Sequence, residues 1–153
     1  MKNFDQIGLE RETLRIDKNG ELAQTPHPTS FGSPLTHTSL TLDFAEAQPE
    51  LVTPPCTTTE EAIDYLCKMQ SWMECETHLW PLSMPCHLPD EIRIASFGST
   101  WEGKQKEIYR EGLARRYDRK MQLISGVHAN ISFPIAQKRP DAYFALMRNI
   151  LRE

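Results

Sequence analysis

The sequence predicts a mixed α and β domain that contains at least one antiparallel pair of strands. Residues 6–16 alternate in polarity, and Asn19-Gly20 follows them, a dipeptide typical of two-residue hairpin turns. Residues 122–133 alternate in the same way, as a half-buried strand does. Between these segments, residues 57–79 place apolar side chains at helical spacing.

Length and composition narrow the possible classes of protein. The chain has 153 residues, which fits a single domain, and its formal net charge of −4 argues against a protein that wraps nucleic acid. Its apolar runs are far shorter than the roughly 20 residues that cross a bilayer, and no basic and apolar leader opens the chain. Four scattered cysteines do not form a disulfide scaffold. We therefore expect a cytoplasmic protein that binds neither nucleic acid nor membrane.

The first half of the chain divides into loop, extended segment and helix. Residues 24–38 contain three prolines and are predicted as an irregular loop. Residues 39–53 are predicted as an extended segment that breaks near Pro49, because proline cannot donate to a central ladder. A helix is predicted from residues 57–59, where threonines precede two glutamates, to about Leu79.

The second half is predicted as two helices and two strands. Residues 92–97 suggest a short strand, and residues 102–120 suggest a helix with an excess of basic side chains. The strand at 122–133 is expected to bury its apolar side. The helix at 141–153 carries an apolar stripe that needs a partner. The two apolar surfaces consist of Leu123, Val127, Ala129, Ile131 and Phe133 in the strand, and of Phe144, Met147, Ile150 and Leu151 in the helix.

Two groups of carboxylates suggest a cation site. Glu10 and Glu12 are two residues apart in a predicted strand, so both leave the same face about 6.5 Å apart. On this pair alone, a solvent-facing strand edge that resists aggregation is the simpler interpretation. In an unbroken strand Asp43 and Glu50 would face opposite ways, so they share a site only if the segment bulges or bends, with Pro49 as a plausible place.

His128 lies on the polar side of the later strand and could add one nitrogen ligand to these carboxylates. A donor set dominated by oxygen suits Mg²⁺ or Mn²⁺ better than zinc or copper. The sequence has no GxxxxGK[ST] loop, no GxGxxG and no GxSxG. Spacing therefore predicts a divalent-metal site on an antiparallel sheet, but it does not predict a reaction.

Six ordered segments resemble successive blocks of bacterial glutamate–cysteine ligase, also called γ-glutamylcysteine synthetase. The segments are GLERETLR (8–15), TPHP (25–28), LDFAEAQPELVTP (42–54), LWPLSMP (79–85), YREGLARRY (109–117) and MQLISGVHANIS (121–132). The resemblance implies an α+β fold, with an antiparallel sheet and flanking helices, that is part of a glutamine-synthetase-like catalytic fold. It also implies ATP-dependent ligation of the glutamate side-chain carboxylate to the cysteine amine through a γ-glutamyl phosphate, the first step of glutathione synthesis.

The resemblance also implies roles for individual residues. The implied substrates are L-glutamate, L-cysteine and ATP, and the implied cofactor is Mg²⁺, or Mn²⁺ in its place. Arg110 is expected to bind phosphate or a substrate carboxylate through its bidentate fork. The residues that match metal-ligand positions are Glu10, Glu12, Asp43, Glu50 and His128. The residues that match positions of the cysteine pocket are Phe44, Tyr109, Leu113, Gln122 and Ile124.

Several departures from the family pattern leave a second function open. Ala129 and Ile131 replace aromatic residues, Pro49 replaces an apolar residue, and Asp118 stands where glycine would permit a positive φ. Family members are longer, so residues 1–153 are expected to be the N-terminal portion of a ligase catalytic domain. The alternative is a catalytically silent remnant that binds metal, nucleotide or a partner chain. Self-association or a complementing chain would use the terminal helix.

Overall fold

A four-stranded antiparallel sheet with helices against it forms the centre of the molecule. The computed structural model describes residues 5–133 and 139–151, and it confirms the α+β class with an antiparallel sheet. The strands are β1 (Gln6–Glu12), β2 (Arg15–Ile16), β3 (Leu40–Leu42), β4 (Pro49–Val52), β5 (His78–Leu79) and β6 (Val127–Ser132). The helices are α1 (Thr59–Glu74), α2 (Trp101–Tyr117) and α3 (Pro140–Ile150).

The order of strands in the main sheet is β3-β4-β1-β6, so β1 is central, with β4 on one side and β6 on the other. Glu12 lies opposite Glu50 of β4, and Glu10 lies opposite His128 of β6. Residues directly opposite each other in an antiparallel ladder project from the same face. The sheet therefore has one acidic face and one largely apolar face.

The extended segment predicted for 39–53 breaks just before Pro49, as expected, but the break is a complete reversal that makes the segment a hairpin. The chain reverses between β3 and β4, where the Asp43 amide donates to the Gln48 carbonyl (2.9 Å) and the Gln48 amide donates to the Ala45 carbonyl (2.9 Å). Pro49 is the first residue of β4 and pairs with Leu42. A proline is tolerated there because it heads the strand and no ladder hydrogen bond is lost inside it.

Helix α1 covers the apolar face of the sheet at β1 and β4. Leu40 and Leu51 project from that face into a buried cluster with Phe31 and Met73. The helix begins as predicted, since the Thr58 hydroxyl accepts from the Glu61 amide (3.1 Å). It ends at Glu74 and not near Leu79, because residues 78–79 form β5, which pairs with β2 in a separate two-stranded sheet.

Three predictions for the second half were wrong: one strand, the end of one helix and the start of another strand. Residues 92–97 make only an isolated bridge between Ala45 and Ile94 within the described chain, in place of a regular strand. Helix α2 ends at Tyr117 because the following residue, Asp118, has a φ of 69°. A short 3₁₀ turn occupies residues 120–123, so the last strand begins at Val127.

The apolar side of β6 is exposed, although alternation predicted it to be buried. Val127 and Ile131 are 64% and 46% exposed, whereas Leu123, which precedes the strand, is fully buried. The predicted apolar stripe of α3 is present but also exposed at Phe144 and Met147. No helix among the described residues is long and apolar enough to cross a membrane.

Candidate functional site

The acidic face of the sheet gathers the five predicted metal-site residues. The register places Glu10 and Glu12 of β1, Glu50 of β4 and His128 of β6 on this face. Asp43 directly follows β3 and joins them because the hairpin turns the chain back at that point. We call these five residues the acidic cluster.

Hydrogen bonds fix the β1 carboxylates of the acidic cluster. Glu10 accepts from the Asn130 amide side chain (2.8 Å), and its other carboxylate oxygen lies 3.2 Å from the His128 Nδ1 atom. Glu12 accepts from the Gly126 backbone amide (2.7 Å). The bond to Glu10 and the charge of Glu12 raise the pKa of His128. The histidine therefore binds a proton more tightly than a free imidazole does.

The other two carboxylates of the acidic cluster are electrostatically strained. Burial raises the pKa of Asp43, and the charge of Glu12 raises it further. Burial also raises the pKa of Glu50, with additional contributions from the charges of Asp43, Glu10 and Glu12. Like charges that face one another disfavour ionisation. The acidic cluster therefore holds more negative charge than its surroundings stabilise.

A divalent cation fits this donor set by its chemistry. Four carboxylates and one imidazole are typical of Mg²⁺ and Mn²⁺ sites, and a cation would neutralise the repulsion that raises the two pKa values. Within residues 5–133 and 139–151, no three His, Cys, Asp or Glu side chains already converge on one point as a ligand set. Binding a cation would therefore require side chains of the acidic cluster to rotate toward it.

Arg110 of α2 lies beside the acidic cluster, but its guanidinium binds backbone carbonyls. It donates from Nε to the Asp43 carbonyl, from Nη2 to the Leu42 carbonyl (3.1 Å) and from Nη1 to the Lys106 carbonyl (3.1 Å). The guanidinium also stacks 4.5 Å from the Phe97 ring centre. Much of the fork expected to face phosphate or a substrate carboxylate is thus used within the protein.

The predicted cysteine-pocket residues are divided between core and surface. Phe44 is buried with Leu123, and Leu113 packs against the same core. Tyr109 is 65% exposed and Ile124 is 46% exposed. The fifth residue, Gln122, is half-buried and accepts a hydrogen bond at its backbone carbonyl. Their role as a pocket stays a prediction.

Gln48 is a positioning residue that sequence reasoning missed. Its side chain is fully buried, accepts from the Phe44 amide (3.3 Å) and donates to the Gln122 carbonyl (3.1 Å). It thus links the β3–β4 hairpin to the segment before β6. A glutamine in an extended segment gives no periodic signal, so the sequence could not identify it.

Glu46 lies between Asp43 and Glu50 in the sequence, but its carboxylate lies apart from the acidic face. It is buried, and its carboxylate accepts from the His27 amide (2.8 Å) and the Ser96 amide (2.8 Å). These bonds join the hairpin to two distant loops. Its role in the structure is therefore to hold the hairpin in place.

Comparison with known proteins identifies the family of this chain. The family model described as glutamate–cysteine ligase matches residues 2–153. The chain belongs to the glutamate–cysteine ligase family. It is 42% identical to glutamate–cysteine ligases of Vibrio campbellii and Clostridium acetobutylicum, over 95% and 99% of its own length. These alignments cover 32% and 36% of the two ligases, so the chain spans about a third of the curated relatives it matches.

Two solved structures show that the fold is also shared. A glutamate–cysteine ligase of Francisella tularensis, in complex with AMP, matches with a TM-score of 0.83 and 38% identity, over 90% of this chain and 30% of that one. A bifunctional glutathione synthetase from Pasteurella multocida matches with a TM-score of 0.78 and 33% identity, over 95% of this chain and 19% of that one. The antiparallel sheet with its acidic face is thus embedded in a fold that ligases of this family use.

Proposed function

We propose that this chain is the N-terminal, cation-binding portion of a glutamate–cysteine ligase catalytic domain. The whole reaction is the ATP-dependent joining of the L-glutamate side-chain carboxylate to the amine of L-cysteine through a γ-glutamyl phosphate. The observation that supports this most directly is that four carboxylates and a histidine lie on one face of the sheet. Family membership supports the reaction class.

The acidic cluster would hold Mg²⁺, or Mn²⁺ in its place, through Glu10, Glu12, Asp43, Glu50 and His128. The bound cation would neutralise charge on the phosphate oxygens of ATP and of the acyl phosphate. Asn130 and the Gly126 amide would orient the β1 carboxylates through the bonds they already make. The central position of β1 gives these carboxylates the rigid support that cation geometry requires.

The cysteine substrate would bind near the exposed side chains of Tyr109 and Ile124. Tyr109 leaves α2 one residue before Arg110, and Ile124 follows the short 3₁₀ turn. Buried Phe44 and half-buried Leu113 would support this surface from below, since they pack into the adjoining core. The pocket would therefore be apolar with a phenolic hydroxyl at its rim.

Cation binding by the purified chain tests the proposal. We expect Mn²⁺ titration, followed by calorimetry and by the Mn²⁺ electron paramagnetic resonance signal, to show binding that Mg²⁺ competes away. Asp43→Asn should weaken it at least roughly tenfold, because a charged ligand is lost from a shared site. The matched control is Asp64→Asn, which removes an exposed carboxylate on α1 that pairs only with Lys68 among the described residues. Equal binding by both variants would contradict the proposal.

The reaction itself is tested by mass spectrometry. The chain is incubated with glutamate, cysteine, ATP and Mg²⁺, and γ-glutamylcysteine is measured beside the Asp43→Asn variant. Product that disappears in the variant supports ligase activity in this chain. Cation binding without product supports the second candidate, a remnant that retains the metal-binding face. The exposed apolar surfaces of β6 and α3 favour that candidate, because exposed apolar surface of this kind is typical of a face that binds a partner chain.

A further inference from the structure

We propose that Arg110 is a positioning residue for Asp43, which it holds in the acidic cluster through backbone carbonyls, and not a ligand of phosphate or substrate. This inference rests on the proposed function, since it assigns Asp43 to the cation site. It differs from the role that the resemblance implied, and three features of the structure lead to it.

The first feature is the direction of the donors. Nε and Nη2 of Arg110 donate to the carbonyls of Asp43 and Leu42, which are consecutive at the end of β3. Two N–H groups on neighbouring atoms of a planar guanidinium fix both the position and the angle of the acceptors. The point where the chain leaves β3 and enters the hairpin is therefore clamped by α2.

The second feature is the anchoring of the arginine itself. Its Nη1 atom donates to the Lys106 carbonyl one turn earlier in α2, and its guanidinium lies over Phe97, which is buried. Phe97 also packs in one core cluster with Leu42. The guanidinium is thus held on both sides, and reaching out to a substrate would break several contacts at once.

The third feature is that the backbone at Asp43 has little support from strand pairing. It follows the last residue of a three-residue strand and precedes a hairpin that contains no glycine. Its backbone makes one described hydrogen bond across the hairpin, from its amide to Gln48. The clamp by Arg110 therefore supplies the support that β1 gives to Glu10 and Glu12 through strand pairing.

The direction in which Arg110→Met changes Mn²⁺ affinity distinguishes a positioning role from an effect of charge. Arg110 carries a positive charge near the carboxylates of Asp43 and Glu50, so removing that charge alone would strengthen cation binding. Removing the clamp would weaken cation binding, because Asp43 would lose its fixed place. We expect Arg110→Met to reduce Mn²⁺ affinity roughly tenfold, within the range seen when residues that support metal ligands are changed.

A matched control lies one turn away on the same helix. Lys106 also places its cation over the Phe97 ring, 4.8 Å from the ring centre, and its ammonium makes no described contact with the acidic cluster. Lys106→Met should leave Mn²⁺ affinity unchanged, because Arg110 uses only the backbone carbonyl of that residue. Arg110→Lys keeps the charge but has a single donor group, and we expect it to lose affinity by a smaller factor than Arg110→Met.

A double-mutant cycle on Mn²⁺ affinity completes the test. If Arg110 acts through Asp43, adding Arg110→Met to Asp43→Asn causes no further loss, whereas its effect adds fully to that of Glu10→Gln. Circular dichroism melts of every variant confirm folding. Additive losses with Asp43→Asn, or tighter Mn²⁺ binding by Arg110→Met, would overturn the inference while the cation site stands. If Asp43→Asn itself has no effect on binding, the proposed function fails first.

Discussion

Asp118 shows how a single backbone angle can identify an unfavourable side chain. The family pattern implied a position suited to glycine, and the structure confirms a positive φ there, with φ 69° and ψ 150°. This region is essentially restricted to glycine and costs other residues about 1–3 kcal/mol. The Asp118 carboxylate offsets part of that cost by accepting from the Lys120 amide (2.9 Å).

We therefore expect Asp118→Gly to stabilise the chain by about 1 kcal/mol, since it relieves the backbone strain and loses one exposed hydrogen bond. Asp118→Ala should destabilise it, because alanine keeps the strain and lacks the acceptor. Urea denaturation of the three proteins measures both differences. A glycine variant less stable than the parent would show that the side-chain bond outweighs the strain.

Replacing Glu50 should have opposite effects on the stability of the metal-free chain and on its stabilisation by a cation. Burial and the charges of three neighbouring carboxylates raise the pKa of Glu50, so its ionised form is disfavoured in the metal-free chain. Glu50→Gln should therefore raise the melting temperature of the metal-free chain and lose the further rise that Mg²⁺ gives the parent. Differential scanning fluorimetry with and without Mg²⁺ measures both. The control is Glu91→Gln, an exposed loop residue, which should show the parent's behaviour in both conditions.

At the scale of single elements, helix α2 depends on the absence of a side chain at Gly103. A β-carbon there would lie 2.6 Å from the Phe97 carbonyl oxygen and 2.9 Å from the Gly98 carbonyl oxygen, both rigid backbone atoms. Gly112, in the same helix, has open space in the corresponding direction. The two glycines therefore form a matched pair with opposite expectations.

Gly103→Ala should destabilise the chain by about 2 kcal/mol, because backbone must shift to admit the methyl group. Gly112→Ala should stabilise it by about 0.5–1 kcal/mol, because alanine is the better helix former in an unobstructed site. Chemical denaturation of both variants measures the two changes in the free energy of unfolding. Similar effects of the two substitutions would mean that the start of α2 adjusts freely against Phe97.

Elements differ in how far the sequence could predict them. The start of α1 and the strand at β1 were predictable, because caps and alternation are local signals. The reversal between β3 and β4 was not, since its turn contains no glycine or asparagine and is held by buried Gln48 and Glu46 through distant backbone groups. The shared face of Glu10 and Glu12 followed from parity alone, whereas the approach of Asp43 required that reversal.

Pairing between distant strands was also beyond the sequence. His128 meets Glu10 only because β6 pairs with β1 across more than a hundred residues, and no local pattern fixes such a register. Alternation in β6 correctly separated its polar residues from its apolar ones. It could not show that Val127 and Ile131 would be exposed, because periodicity distinguishes two faces without showing what covers either.

For the whole molecule, stability depends on pH through residues whose pKa shifts act in opposite directions. Asp43 and Glu50 have raised pKa values, so the folded chain takes up their protons first as pH falls, and acidification relieves their repulsion. His27 behaves in the opposite way, because burial and then the charge of Arg15 lower its pKa below the usual 6.5. The unfolded chain binds that proton first, so this contribution to stability is present above pH 6.5 and is lost as pH falls toward the folded pKa.

We expect His27→Phe to reduce the loss of stability between pH 7.5 and pH 5.5. Phenylalanine takes up no proton, can keep the edge contact with Phe31, and leaves the backbone bond from residue 27 to Glu46 in place. The free energy of unfolding in urea at the two pH values gives the slope for each protein. The exposed His87, changed to glutamine, is the control and should keep the parent's slope. A parent-like slope in His27→Phe would mean that the buried imidazole takes up its proton at the same pH in the folded and unfolded chain.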